Sequence, residues 1–180
     1  MPNWCQNTVV VRGDNTNLSK FKEWLGNGED LLSKIKPIPQ QLVDTTATTL
    51  HTKESNAELA ALQEKNLSEL GVKDWYDWCY SNWGTKWDVD AEIDEGLHED
   101  VVLSFESAWS PPQAAIREMA SKFPELYVRH AYFEGGACFV GYDEIENGKV
   151  INEVYNEDFG STEWKQLASD DWGWEPEESA

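Results

Sequence analysis

Residues 101–133 read VVLSFESAWSPPQAAIREMASKFPELYVRHAYF, and this stretch decides the fold. Its opening VVLSFESAW is a strand. Ser110 then stands as a helix cap, with Pro111 at the first helical position, where a missing N–H is harmless. Ile116, Met119, Ala120 and Phe123 recur at helical spacing as a buried stripe, and Pro124 ends the helix. Leu126–Phe133, LYVRHAYF, is the next strand. A strand–helix–strand unit of this kind is half of a two-layer α+β fold.

Upstream, Trp87, Val89, Ala91 and Ile93 alternate with Asp88, Asp90, Glu92 and Asp94. Period two predicts a strand with one acidic face, with Trp87 inward and Gly96 turning the chain. At the start, WCQNTVVVR (residues 4–12) is a β-branched strand closed by Gly13. Asn15 or Thr16 caps a following helix carrying Leu18, Phe21 and Leu25, and Gly26-Asn27-Gly28 stops it. Residues 29–56 read as irregular. A helical region follows from Ala57 to about Tyr80, broken near Gly71, with Leu67, Leu70, Trp75, Trp78 and Cys79 as its apolar side.

Downstream, Gly135-Gly136 turns into ACFVGY, and Glu146-Asn147-Gly148 is a hairpin signal before KVINEVY. The element order is that of a ferredoxin-like βαββαβ sandwich. It carries a helical insertion at about 29–81, after the first helix, and an additional C-terminal β-hairpin, so residues 1–156 form one α+β domain. Residues 157–180 are an acidic arm with Trp164, Trp172 and Trp174. Such an arm either packs its aromatics over an open sheet face or docks on a partner.

With 34 acidic and 14 basic side chains, the chain has a net charge of −20. That charge repels nucleic-acid phosphate and anionic membranes, and it favours a basic protein partner, including a nucleic-acid-binding effector. Apolar residues at 40% set the chain apart from disordered acidic proteins. No apolar run reaches membrane-span length, and MPNWCQN lacks the features of a secretion signal. A cytoplasmic location is therefore expected, and the family resemblance described below implies that the cell is a bacterial host. Cys5, Cys79 and Cys138 are scattered without metal-ligand spacing, so no metal or other cofactor is expected.

Three ordered motifs, MPNWCQN (1–7), NWGTKWD (82–88) and FESAWSPP (105–112), carry a family resemblance. The chain resembles the YubB-like proteins of phages and conjugative plasmids. That resemblance implies a ferredoxin-like domain across residues 1 to about 148, an origin on a mobile element, and a role within or against host machinery. It supplies no catalytic residues.

Two candidate sites follow. Asp88, Asp90, Glu92 and Asp94, continued by Glu95, Glu99 and Asp100, place carboxylates about 6.6 Å apart along one strand face. That spacing is comparable with successive phosphates of a nucleic acid, so the row suits mimicry of DNA toward a basic defence protein such as a CRISPR-Cas or restriction complex. A solvated strand face is the plain alternative. The second candidate is an aromatic corner of Trp83, Lys86 and Trp109, read either as a scaffold hinge or as a platform for a small ligand or nucleotide. His51, His98 and His130 fall in no catalytic motif, and non-enzymatic binding is expected over catalysis. Self-association through the aromatic tail, as in an assembly protein, is the remaining class.

Overall fold

Alternation along β1 (Trp4–Arg12) sets the architecture: Cys5, Asn7, Val9 and Val11 are buried on one face, while Trp4, Gln6 and Arg12 are exposed on the other. A computed structural model of the chain describes residues 2–43, 45, 55–95 and 100–174. β1 lies inside a six-stranded sheet with β2 (Glu92–Glu95), β3 (Val101–Ala108), β4 (Tyr127–Glu134), β5 (Phe139–Glu146) and β6 (Lys149–Asn156). The strand order is β2-β3-β1-β4-β5-β6, and every neighbouring pair is antiparallel. The block β2-β3-β1-β4, with helical connections after β1 and β3, is the ferredoxin-like arrangement. β5 and β6 extend it through hairpins. The second hairpin turns at Asn147 and Gly148, both at positive φ (53° and 69°), as an Asn-Gly turn requires.

The inner face is covered by helices. α1 (Asn15–Leu25) buries Leu18, Phe21 and Leu25, and α6 (Gln113–Lys122) buries Ala115, Ile116, Met119 and Ala120 against Val9, Val11, Leu103 and Val128. The α1 cap is Asp14, whose carboxylate accepts from the Thr16 and Asn17 N–H groups, one residue before the expected cap. α6 starts at Gln113, not after Ser110. Ser110 Oγ donates to the Gly84 carbonyl at 2.7 Å instead, so this hydroxyl ties the helix entry to the preceding loop.

The stretch expected to be irregular contains α2 (Leu31–Ile35) and α3 (Gln40–Val43), which bury Leu31, Leu32, Ile35 and Leu42. α4 (Ser55–Leu70) and α5 (Trp75–Asn82) follow, separated at Gly71. Leu67 is half exposed, not apolar lining, whereas Trp78 and Cys79 are buried.

The strand expected from Trp87 is confined to β2. Residues 88–91 are occupied elsewhere: the Leu31 N–H donates to the Val89 carbonyl, and the Ala91 N–H to the Gly28 carbonyl. Gly28 permits this approach, since a Cβ there would lie 2.2 Å from the Ala91 oxygen. Released from sheet parity, Trp87 turns outward and is 40% exposed, while Val89 and Ala91 remain buried.

α7 (Thr162–Trp172) lies on the opposite, outer face over β4 and β5. Trp164 is buried against Val140 and Phe133, and its indole N–H donates to the Cys138 carbonyl at 2.7 Å. Asp171 pairs with Arg129 at 2.8 Å. Among the described residues α7 stops short of β1, β3 and β2, and no other helix packs on their outer face. Among the described residues no helix is long and apolar enough to cross a membrane.

Candidate protein-binding groove

On that open face lies a groove of about 620 Å³, within the volume range of ligand sites. Its floor is polar: Gln6 and Thr8 of β1 and Ser104 of β3 point outward from the two central strands. Asp90, Glu92 and Glu106 stand along it, with Trp4 at one rim and Trp172 of α7 at the other. Among the described residues that line it there is no Lys or Arg. The arrangement presents negative charge beside flat aromatic rings, which suits recognition of a cation.

The predicted acidic row is divided. Asp88 serves the scaffold: its carboxylate accepts from the Leu32 N–H (2.7 Å), the Ser33 N–H (3.1 Å) and the Val89 N–H. It thus caps α2 from 56 positions away. Asp90 accepts from the Asp30 N–H at 3.0 Å yet stays exposed at the groove. Glu92 and Asp94 project from β2 into solvent. Asp100 leaves the row, being buried and paired with Arg12 at 2.7 Å. The side chain of Glu95 and all of Glu99 lie outside the described residues, as do His51 and His98.

The aromatic corner changes membership. Trp83 is no platform: it is 1% exposed, packs edge-on against Trp78, and donates its indole N–H to the Lys36 carbonyl. This contact ties the end of α5 to the end of α2. Lys86 and Trp109 do meet, but around Trp87. The Lys86 ammonium lies 4.6 Å from the Trp87 ring centroid and 5.3 Å from that of Trp109, with Tyr76 and Trp75 at 5.7 and 6.0 Å. Trp4 extends the cluster, 6.4 Å from Trp87. Trp109 holds its position at φ 63°, uncommon for a bulky side chain, with its N–H donated to the Asn3 carbonyl.

Elsewhere the perturbed groups are structural. His130 is fully buried between Phe105 and Tyr132. Both Asn7 amide protons are used, on the Cys5 carbonyl and Ser107 Oγ, so Asn7 Oδ1 accepts from His130 Nε2. Burial, helped by the Arg117 charge, pushes the imidazole down to about 3. Burial likewise pushes the Cys5 and Cys79 thiols up to about 12, which keeps them protonated and poorly nucleophilic. Asp143, fully buried, is held bidentately by Arg117 at 2.8 and 2.9 Å. Among the described residues no group of three His, Cys, Asp or Glu side chains is placed to hold a metal ion.

Residues 82–170 match the family of ferredoxin-like domains in Api92-like proteins. The matched part runs from the end of α5 through β6 into α7, and includes Glu92, Glu106, Lys86, Trp87 and Trp109. The chain is also similar to uncharacterized protein YubB of Escherichia coli (strain K12), at 24% identity over 103 residues, covering 56% of this chain and 68% of that protein. This similarity agrees with the motif resemblance. Among solved structures, the crystal structure of protein api92 from Yersinia pseudotuberculosis aligns over 87% of this chain and 98% of its own, with a TM-score of 0.57. At 11% identity that likeness speaks for the fold.

Sequence reading missed Trp4, Gln6, Thr8, Ser104, Glu106 and Trp172 as neighbours. The signal was present in β1 and β3: strands central to a sheet whose alternate residues are Gln6, Thr8, Ser104 and Glu106 cannot have both faces in the core.

Proposed function

We propose that the protein acts by binding, not catalysis, and that its outer-face groove receives a basic segment of another protein. The observation that carries this reading is a groove of about 620 Å³ bordered by Asp90, Glu92 and Glu106, with no Lys or Arg among the described residues that line it. The net charge of −20 adds long-range attraction for a basic partner. In its specific form, the chain is a phage or conjugative-plasmid product working in the bacterial cytosol. It occupies the nucleic-acid-binding surface of a host defence complex, CRISPR-Cas or restriction, and its carboxylates stand in for phosphates. Glu92 and Glu106 carry the mimicry more than Asp88, which is engaged with α2.

Competition tests it. The purified protein should displace duplex DNA from such an effector, and Glu92→Gln with Glu106→Gln should weaken displacement by about tenfold. Each lost charge contact at a partly exposed interface is worth roughly 0.5–1 kcal/mol. Undiminished displacement by the double variant would remove the groove from the reading. Failure to displace DNA from any effector assayed would count against mimicry itself.

A further inference from the structure

We infer that the groove selects arginine over lysine, with the face of Trp4 and the carboxylate of Glu106 forming a guanidinium subsite. This inference rests on the basic-segment reading above and names the side chain that is read.

The aromatic cluster already shows what it does with a cation. Lys86 sits over Trp87 and Trp109 at 4.6 and 5.3 Å, which uses those ring faces internally. Trp4 is the next ring in the stack. At 47% it is the most exposed of the described tryptophans, and no Lys or Arg among the described residues stacks on it. It also stands where the cluster meets the groove.

Strand register places the carboxylate. Trp4 pairs with Ala108 and Gln6 with Glu106, so Trp4 and Glu106 are diagonal neighbours on the same outer face. Such neighbours have Cα atoms about 7–8 Å apart, within mutual reach of long side chains. A guanidinium lying flat on the Trp4 indole can direct two edge N–H groups onto the Glu106 carboxylate. An ammonium is a compact, strongly hydrated point charge and cannot stack and fork at once. Asp90 and Glu92, further along the groove, remain for a second basic residue, about 6.6 Å from the first in an extended chain.

Calorimetry with two capped nonapeptides tests this, one carrying three Arg at alternate positions in a Gly-Ser background and the other three Lys. The Arg peptide should bind the unaltered protein about fivefold more tightly. Trp4→Leu should abolish that preference while keeping residual binding of both, and Glu92→Gln should weaken both peptides alike. Equal affinity of the two peptides for the unaltered protein overturns the guanidinium subsite and leaves the acidic groove standing. Binding of neither removes the groove reading, and the subsite with it. A preference for Arg that survives both Trp4→Leu and Glu106→Gln also overturns the assignment. Circular dichroism confirms folding of the variants, and the comparison of peptides on the unaltered protein needs none of them.

Discussion

Replacing Asp88 separates the scaffold role of the acidic row from its binding role. Its carboxylate accepts from two N–H groups of the first turn of α2, at 2.7 and 3.1 Å. Asp30, at the helix start, makes no side-chain cap of its own. Asp88→Ala therefore leaves both donors without their charged acceptor. Hydrogen bonds to charged groups contribute about 1.5–3 kcal/mol each when well buried, and helix caps about 0.5–2 kcal/mol. Asp88 is only partly buried, so the combined loss should be about 2 kcal/mol. For a chain of this size that lowers Tm by about 4–8 °C. Asp88→Asn retains one acceptor oxygen and should lose about half as much. Differential scanning calorimetry reads both variants. A Tm for Asp88→Ala within 1 °C of the parent would refute the capping role.

Three other perturbations follow from the packing. His130 is held near 3 in the folded protein against about 6.5 when unfolded. The unfolded chain therefore binds the extra proton as pH falls below about 6.5. Stability is full above that value and declines toward pH 3, by up to about 1.4 kcal/mol per unit; urea titrations of His130→Gln should lack this part of the slope. Arg117→Met strands the fully buried Asp143 carboxylate and should cost about 3–5 kcal/mol by urea denaturation, whereas Arg117→Met with Asp143→Leu should recover most of it. Trp164→Ala should cost about 3–5 kcal/mol and, by uncovering Val140 and Phe133, produce concentration-dependent association in light scattering.

Much of the fold was legible because its signals are local. The strands Val101–Ala108 and Tyr127–Glu134, the helix between them, and the Asn147-Gly148 hairpin are each written in a few neighbouring residues. The reading failed where distant segments intervene. Trp87 keeps the period of Val89 and Ala91, yet residues 88–91 are pinned by the backbone of residues 28–33, and the ring escapes parity. Trp83 looked available because nothing nearby in sequence marks Lys36 as its hydrogen-bond acceptor. Asp100 gave no sign of Arg12, 88 positions away. The groove itself depends on where α7 stops across the outer face, a fact of tertiary packing. Its polar floor was visible only as unexplained Gln, Thr, Ser and Glu residues within central strands.

Binding on the outer face of β1, β3 and β2 can be read residue by residue. The experiment is to titrate the ¹⁵N-labelled protein with the Arg nonapeptide and follow its amide and indole N–H signals. Saturable shifts are expected at Gln6, Thr8, Ser104, Glu106 and the Trp4 indole, with His130 on the inner face of β4 and Met119 of α6 unmoved. Shifts centred on β6 or α4, with the groove silent, would contradict binding on that face.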